Sequence, residues 1–296
     1  MKPTLAQLRL FVAVADAGGF SEAAAELGMS QSSLSEAVGN LERALGKPLL
    51  RRGRHGVTLT DPGRRALEHA RRALMAVDDL ILAVAEVAEL SGTLRVVSAR
   101  SAATHLLPPA IAAFRRLHPH VSVELLDSET EAEAAETLLQ QGRADLGILP
   151  LPARTSLLTW PYFSDEWLGV LPAASAPKRL EWSAFQGVPL ILNAASPSAE
   201  RLIRRHLEVH GVRVNQVQYV GEDSVILGMV KHGLGVTVLP RLAVLPLPDG
   251  LAALPLPAPL VRSLGIAVLP RRASLPMIAE FAALLRGRSD GPPPER

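Results

Sequence analysis

The first part of the chain alternates short apolar stretches with glycines, a pattern that predicts three helices. Apolar residues recur on one broad helical face over residues 6–15. Two more helices are expected over 22–27 and 31–45, because Ser21 and Ser30 offer hydroxyls for N-caps and a glycine follows each stretch. Two helices joined by a tight glycine turn form a helix-turn-helix, which is the motif that we expect here.

A basic hairpin is expected after the third helix. Residues 48–52 and 57–60 are strand-like and flank a turn over 53–56. Residues 43–72 contain nine lysines and arginines against two acids, a local net charge of +7, whereas residues 73–90 contain four acids and no base. The sequence therefore predicts a surface on which phosphates can lie.

One long helix is expected from Thr60, which is a good N-cap, to Leu90. Its apolar residues recur at alternating spacings of three and four, which is the a/d seam of a coiled coil. We interpret this seam as the contact between two copies of the chain; the alternative is a helix buried within its own chain. The predicted seam residues are Leu67, Ala70, Leu74, Val77, Ile81, Val84 and Ala88.

After residue 92 the pattern changes to strands alternating with helices, which is typical of an α/β domain. The order of elements is repeated, so two lobes are expected. The expected strands cover residues 93–99, 121–126, 145–149, 167–171, 188–192, 216–220, 235–239 and 264–269. The expected helices cover residues 104–117, 130–141, 198–210, 223–232 and 275–286.

The composition excludes several classes of protein but does not identify a binding partner. The chain has 296 residues, which is enough for two or more domains. Its net charge of +2 is nearly balanced, so the overall charge by itself does not indicate a nucleic-acid or membrane partner. The absence of cysteine excludes disulfides, thiolate metal sites and cysteine nucleophiles. No secretory signal is readable, because Arg9 and Asp16 interrupt the N-terminal apolar residues. Five prolines within residues 242–261 argue against a membrane helix there.

Neither catalysis nor a cofactor is expected from the motifs. The sequence lacks a phosphate-binding glycine loop, a nucleophile elbow and a zinc-protease motif. His206 and His210 have the spacing of two metal ligands on one helix. Without a third ligand, a solvated helix face is the better interpretation, so no metal site is predicted.

The first turns of the third helix contain several short polar side chains. In a recognition helix, residues at this end contact base edges in the major groove. A serine-rich capping turn is the alternative, but the adjacent basic hairpin favours DNA. The expected DNA-contacting residues are Gln31, Ser32, Ser33, Ser35, Arg52, Arg54 and His55.

These motifs resemble those of LysR-type transcriptional regulators. The similarity is strongest in the helix-turn-helix and in the hairpin that follows, and shorter stretches extend it over nearly the whole chain. The matching stretches are residues 20–27, 30–35, 41–42, 45–52, 57–63, 106–108, 141–146 and 233–240.

The resemblance implies an N-terminal all-α winged helix-turn-helix, a long linker helix for dimerisation, and a two-lobed α/β effector domain similar to periplasmic solute-binding proteins. It also implies a homotetramer built from two kinds of dimer. The expected boundaries are 1–60, 61–91 and 92–290 for the three parts, about 92–163 with 263–290 for lobe I, about 164–262 for lobe II, and 291–296 for a flexible tail.

Three residues depart from the family pattern. Glu36 would repel phosphate but could accept a hydrogen bond from a cytosine, and a solvated helix face is the favoured interpretation. Gly39 should cost its helix about 1 kcal/mol relative to alanine. Leu50 stands where the family often has phenylalanine. None of these changes breaks the motif.

An effector is expected in the cleft between the two lobes, where helix N-termini present free amides. Arg100 favours a carboxylate ligand, whereas Glu129 and Glu222 favour a cationic or polyhydroxyl one. Helix capping is the alternative for each serine and threonine, and the resemblance implies ligand contact for Ser101 and Thr130. The expected effector-binding residues are Arg100, Ser101, Thr130, Ser196, Ser198 and Ser224.

The sequence thus predicts a cytoplasmic, ligand-responsive transcription regulator without enzymatic activity. Its expected partners are double-stranded promoter DNA, further copies of itself, RNA polymerase and a small-molecule effector, for which an organic anion is one candidate. One alternative is a cytosolic two-lobed solute-binding protein without a transcriptional role. Another is an enzyme that carries a DNA-binding arm.

Overall fold

A computed structural model of the chain describes residues 2–53, 56–84, 90–126, 132–153 and 156–287. The chain divides into two compact units, Met1–Glu86 and Val87–Arg296. Each unit has a hydrophobic core of its own.

The described part of the N-terminal unit consists of helices around a short antiparallel hairpin. In chain order its elements are α1 (Leu5–Ala17), α2 (Phe20–Leu27), α3 (Gln31–Leu45), β1 (Leu50–Gly53), β2 (Gly56–Leu59) and α4 (Asp61–Ala83). The two strands pair in the register Leu50 with Leu59 to Gly53 with Gly56.

The core of this unit forms where the first and third helices meet. Phe11 and Val14 of α1 are fully buried against Leu34 and Leu41 of α3. The buried residues of α3 recur at helical spacing, so one face of the helix packs inward and the opposite face stays exposed. This packing leaves the polar first turn of α3 exposed to solvent.

Two of the three predicted helix N-caps, those of α3 and α4, are confirmed, and the third, that of α2, is wrong. The Ser30 hydroxyl accepts a hydrogen bond from the Ser33 amide, and the Thr60 hydroxyl accepts one from the Gly63 amide. The predicted cap at Ser21 is wrong, because α2 already begins at Phe20 and has Gly19 at its N-cap position.

The helix that follows the hairpin, α4, ends earlier in the chain than predicted. It ends at Ala83, and Leu90 lies outside any helix, while residues 85–89, which include the predicted seam residue Ala88, fall outside the described residues. Most helical stability in proteins comes from packing of an apolar face. The last turns of α4 pack little within the chain, since Leu80 and Ile81 are more than half exposed.

The C-terminal unit alternates strands and helices as expected. Its described elements are β3 (Gly92–Ser98), α5 (Arg100–His105), α6 (Leu107–Leu117), β4 (Val121–Leu126), α7 (Ala132–Gln140), β5 (Leu146–Pro150), β6 (Leu158–Pro172), β7 (Leu190–Asn193), α8 (Pro197–Val209), β8 (Val217–Val220), α9 (Asp223–Lys231), β9 (Thr237–Pro240), α10 (Arg241–Val244), β10 (Leu251–Pro255), β11 (Val261–Val268) and α11 (Pro276–Arg286).

One long strand, β6, joins two lobes. Its first part pairs with β11, which continues through β5 and β3 to β4. Its second part pairs with β9 on one side and β10 on the other. The parallel pair β7 and β8 contacts the same lobe through a bridge between Leu190 and Val236. The predicted strand 167–171 is therefore the second half of a strand that starts at Leu158.

The single helix expected over 104–117 is two helices. The first ends before Leu106, and the second begins at Leu107 with two prolines in its first turn. Proline lacks an amide proton and restricts the residue before it, so a new helix starts here instead of the old one continuing. Within the described residues, no helix combines the length and the apolarity that a membrane crossing needs.

Candidate functional site

The exposed first turn of α3 is held in shape by hydroxyl groups. The Ser30 Oγ lies 3.0 Å from the Ser32 Oγ and 2.8 Å from the Ser33 Oγ. Gln31 is anchored to the preceding helix, since its Oε1 accepts a hydrogen bond of 3.3 Å from the Ser21 hydroxyl. Gln31, Ser32 and Ser33 are all exposed, so the turn presents fixed polar groups at the surface.

Arg52 connects the hairpin to both helices of the helix-turn-helix. Its Nη2 donates a hydrogen bond of 2.6 Å to the Ser35 hydroxyl on α3. Its guanidinium also lies over the Phe20 ring at the start of α2, with 4.6 Å to the ring centroid. The predicted residues Arg52 and Ser35 therefore form one structural group, while the predicted residues Arg54 and His55 lie outside the described residues.

The side chains of Glu42 and Thr60 fix the backbone at the base of the hairpin. The Glu42 carboxylate accepts hydrogen bonds from the amides of Leu49 and Leu50, at 2.6 and 3.1 Å. The Thr60 hydroxyl donates to the Pro48 carbonyl at 2.8 Å. A Cβ atom added to Gly63 would lie 1.9 Å from the Leu49 carbonyl oxygen, so only glycine permits this close approach of α4 to the hairpin.

Part of the basic charge of this unit is not neutralised by the protein. Arg64, Arg71 and Arg72 each form an ion pair with an acidic residue. Among the described residues, Arg51, Arg52, Arg65 and Lys47 have no carboxylate at ion-pair distance, and all four are exposed. This surface therefore retains net positive charge next to the polar turn of α3. Glu36 is exposed as well.

The predicted seam of α4 separates into two parts. Leu67 and Ala70 are buried in the core of the N-terminal unit, so for Leu67 the predicted dimer contact is replaced by packing within its own chain. Leu74 and Val77 are half-buried. Ile81 and Val84 are 61% and 76% exposed, and Leu80 beside them is 64% exposed. Among the described seam residues, Ile81 and Val84 thus leave the largest exposed apolar surface.

In the C-terminal unit, Arg262 is the centre of a polar group between the two lobes. It donates from Nε to the fully buried Asp165, at 2.9 Å, and from Nη2 to the Ser101 hydroxyl, at 2.7 Å. The Leu242 amide donates to the second oxygen of Asp165, at 3.2 Å. The Trp167 ring lies 5.9 Å from the Arg262 guanidinium. Ser101 of lobe I is therefore tied to the strands that join the lobes.

Two cavities adjoin this group. The first, which we call the cleft cavity, has a volume of about 80 Å³ and is lined by Trp167, Asn193, Ser196 and Arg262 among others. The second, which we call the α9 cavity, has a volume of about 470 Å³ and lies between α5, α9 and the segment after β9. Asp223 lines both cavities, and its Oδ1 accepts a hydrogen bond of 2.7 Å from the Asn193 amide.

The predicted effector-binding residues do not all line the same cavity. Arg100, Ser101 and Ser224 line the α9 cavity and Ser196 lines the cleft cavity. Ser198 is exposed on α8 and lines neither of these two cavities, and Thr130 lies outside the described residues. Arg100 forms an ion pair with Glu222, so the protein itself supplies a counter-charge for this arginine.

A second polar group lies at the edge of the cleft cavity. The Tyr219 hydroxyl donates to Glu200 at 2.6 Å and accepts a hydrogen bond from Arg204 at 3.3 Å. The hydrogen bond with Tyr219, together with the charge of Glu200, raises the pKa of the Arg204 guanidinium. Arg204 therefore remains charged, and it balances the carboxylate of Glu200.

Sequence reasoning missed Arg262, Asp165, Trp167 and Asn193. They lie within strands or directly at strand ends, where side chains usually serve packing, and no local spacing distinguishes them. A charged residue in an otherwise apolar strand was the one available sign, and it applies to Arg262 and Asp165.

The histidine pair on α8 is part of an aromatic cluster. His210 stacks on Trp182 with 4.7 Å between ring centroids, and His206 meets the same ring edge-on at 5.7 Å. The described residues contain no group of three or more side chains that could hold a metal ion.

Comparison with known proteins gives two family matches. The family described as bacterial regulatory helix-turn-helix protein, lysR family, matches residues 5–64, and the LysR substrate binding domain matches residues 88–290. The chain is 40% identical over 262 residues to a probable HTH-type transcriptional regulator, LrrA, from Synechococcus elongatus; this covers 87% of this chain and 88% of the relative.

Two solved structures share the fold. A full-length OxyR variant from Pseudomonas aeruginosa superposes with a TM-score of 0.73 at 24% identity, covering 95% of both chains. Full-length CbnR, solved in complex with its target DNA, superposes with a TM-score of 0.58 at 21% identity, covering 97% of this chain and 100% of that one.

Proposed function

The chain belongs to the LysR family of bacterial helix-turn-helix transcriptional regulators, and from this premise we propose which residues carry its function. α3 and the hairpin contact promoter DNA, α4 joins two copies of the chain, and the C-terminal unit binds a small molecule that controls DNA binding. The observation that carries this proposal is the polar first turn of α3 beside exposed arginines that have no carboxylate at ion-pair distance in the described part of the chain.

The proposed DNA interface has two kinds of contact. Gln31, Ser32, Ser33 and Ser35 present short hydrogen-bonding groups on one helix end, which fits reading of base edges in a major groove. The exposed cations around the hairpin fit phosphate contacts, and Arg54 and His55 of the hairpin turn belong to the same proposal. CbnR was solved with its target DNA, which supports the same partner for this chain.

Dimerisation is proposed through the second half of the α4 seam. Leu74, Val77, Ile81 and Val84 recur at seam spacing, and the last two are largely exposed. A large exposed apolar side chain gains free energy when a second copy covers it. Leu67 is not part of this proposal because its own core already buries it. The homotetramer implied by the family resemblance is proposed as a further step.

The effector is proposed to bind between the lobes of the C-terminal unit, beside Arg262 and Ser101. A ligand that prefers one arrangement of the lobes shifts the balance between them. The proposal requires no catalysis and no cofactor, because regulation by binding needs only differential affinity. A protein that acts on promoter DNA works in the bacterial cytoplasm, which is the location that we propose, and RNA polymerase is the proposed downstream partner.

The decisive experiment measures binding of the full chain to the DNA upstream of its own gene and to random DNA of equal length. A salt series from about 50 to 200 mM separates the phosphate contribution from base reading. We expect strong preference for the upstream DNA, a protected region with dyad symmetry, and affinity that falls steeply with salt. The absence of DNA binding at every salt concentration would refute the proposal and favour a solute-binding protein without a transcriptional role.

A further inference from the structure

The two cavities beside Arg262 differ in what they can hold. The cleft cavity, at about 80 Å³, has room for about two or three water molecules at roughly 30 Å³ each. The α9 cavity, at about 470 Å³, lies within the range of roughly 300–1,000 Å³ that is usual for small-molecule sites. Of these two cavities, the α9 cavity is the one large enough to hold a small metabolite.

The α9 cavity is elongated because it follows one face of a helix. Asp223, Leu227 and Lys231 line it at successive intervals of four residues, and Ser224 and Gly228 line it beside them. Asp223 and Lys231 are eight residues apart, which corresponds to about 12 Å at a rise of about 1.5 Å per residue. A ligand that contacts both Asp223 and Lys231 must therefore span about 12 Å.

The middle of the cavity is apolar. Leu227 forms one wall, and Leu242, Leu245 and Pro246 form the facing wall. Gly228 lies between the ends of this stretch, and a Cβ atom added to it would meet no atom within 4 Å. The absence of a side chain at Gly228 thus keeps the middle open, and the surfaces around it suit a hydrocarbon body.

The two ends of the cavity have opposite charge. At the N-terminal end of α9, Glu222 and Asp223 face Arg100, and Arg100 is paired with Glu222, so one negative charge remains. At the other end lies Lys231, which has no carboxylate at ion-pair distance among the described residues. The Lys231 stem lies along Gly250, where an added Cβ atom would be 3.4 Å from its Cε. Lys231 is exposed and lines this end of the cavity, so its positive charge is available to a ligand there.

We propose that the α9 cavity binds an elongated amphipathic monocarboxylate. Its carboxylate contacts Lys231, its hydrocarbon body packs between Leu227 and the facing wall, and an uncharged hydrogen-bonding group at its far end meets Ser101 and Ser224. A second carboxylate at that far end is excluded by the negative charge of Asp223. This inference rests on the proposed function and deepens it, because it names the chemical class of the effector.

The test is a calorimetric titration of the full chain with four probes of similar length: octanoate, 8-hydroxyoctanoate, the dicarboxylate suberate, and octan-1-ol. We expect 8-hydroxyoctanoate to bind most tightly and octanoate next. Suberate and octan-1-ol should bind at least tenfold more weakly than 8-hydroxyoctanoate, since the first meets Asp223 and the second leaves Lys231 without a carboxylate. Equal affinities for octanoate and octan-1-ol would overturn the proposal, as would no binding of any probe at millimolar concentration.

Two variants localise the binding. Lys231→Gln should weaken binding of octanoate at least tenfold and leave octan-1-ol unchanged, which a merely structural role would not produce. Gly228→Leu should abolish binding of all four probes by filling the cavity, and it replaces a glycine within a helix, so we expect it to fold. Val225→Leu is the matched control, because Val225 is half exposed on the same helix and does not line the cavity. Unchanged binding in both test variants would overturn the proposal.

The same samples separate this inference from the proposed function. Probe binding with the expected variant pattern in a chain that binds no DNA supports the cavity assignment and refutes the regulator. Selective DNA binding in a chain that binds none of the probes supports the regulator and refutes the cavity assignment. A shift of DNA affinity on addition of 8-hydroxyoctanoate, lost in Gly228→Leu, supports both.

Discussion

The Arg52 guanidinium donates a hydrogen bond of 2.6 Å to the Ser35 hydroxyl, and this bond joins the hairpin to the third helix. The sequence predicts both residues as DNA contacts, Arg52 for phosphate and Ser35 for bases. Because they share a hydrogen bond, neither acts alone. Ser35 and Phe20 therefore define the position from which Arg52 would make its proposed phosphate contact.

Arg52→Ala should weaken binding to operator and random DNA alike, because a phosphate contact carries no sequence information. The slope of log affinity against log salt should fall in magnitude by about 0.9, the value expected for one phosphate contact. Salt-dependent binding assays on both DNAs measure this. Arg9→Ala, a basic residue on α1 that is also exposed, provides a control that should leave the slope unchanged.

Ser35→Ala should act mainly on the preference for operator over random DNA. Because Ser35 also positions Arg52, the double variant should lose less than the sum of the two single losses, with a coupling of about 0.5 kcal/mol or more. A double-mutant cycle on operator DNA tests this. Equal losses on operator and random DNA for both single variants would contradict the division of roles.

Gly39→Ala should stabilise the N-terminal unit by about 0.5–1 kcal/mol, because glycine within a helix loses more backbone entropy than alanine. An added Cβ atom at Gly39 meets no atom within 4 Å. Native-state hydrogen exchange of the α3 amides measures the change. Gly63→Ala is the opposite control, since its Cβ would lie 1.9 Å from the Leu49 carbonyl oxygen; a stabilising effect there would contradict the packing described.

Val77→Asp combined with Ile81→Asp should prevent self-association through α4, because two charges then face the partner helix across an apolar seam. Light scattering or sedimentation should show a smaller species than the parent chain. Ala76→Asp introduces the same charge at an exposed position outside the seam and should leave the mass unchanged. An unchanged mass in the double variant would refute the proposed contact.

Arg272→Met should destabilise the C-terminal unit by about 1.5–3 kcal/mol, because it removes a charge-assisted hydrogen bond to a buried carboxylate. Arg95 keeps its contact with the second oxygen of that carboxylate, at 3.4 Å. Arg272 and Asp145 are 1% and 3% exposed, and the Arg272 Nη1 lies 2.7 Å from the Asp145 Oδ1. Urea unfolding followed by circular dichroism measures the change.

The matched control for this ion pair is Arg72→Met, which breaks the pair with Glu68 on the surface of α4. Exposed ion pairs contribute about 0–1 kcal/mol, so this variant should unfold almost as the parent chain does. Equal destabilisation by the two substitutions would contradict the role assigned to burial.

Features that depend on neighbours in the chain were predictable from the sequence. Ser30 and Thr60 cap their helices, glycines end α2 and α3, and β4 spans Val121–Leu126 as predicted. Two elements differ from the prediction, and both differences have local causes. Two prolines divide the helix expected over 104–117, and an early start at Phe20 removes Ser21 from its expected cap.

Hydrophobic period, helix caps and charge clusters are local properties, so they were enough to predict the helix-turn-helix, its basic hairpin and the α/β character of the rest of the chain. The long-range contacts became visible only in the folded chain: Arg52 with Ser35, Arg262 with Asp165 and Ser101, and Arg100 with Glu222. Ser101 and Arg262 are 161 residues apart along the chain. Such partners meet because strands pair and lobes pack, and the spacing of residues in the sequence does not encode these contacts.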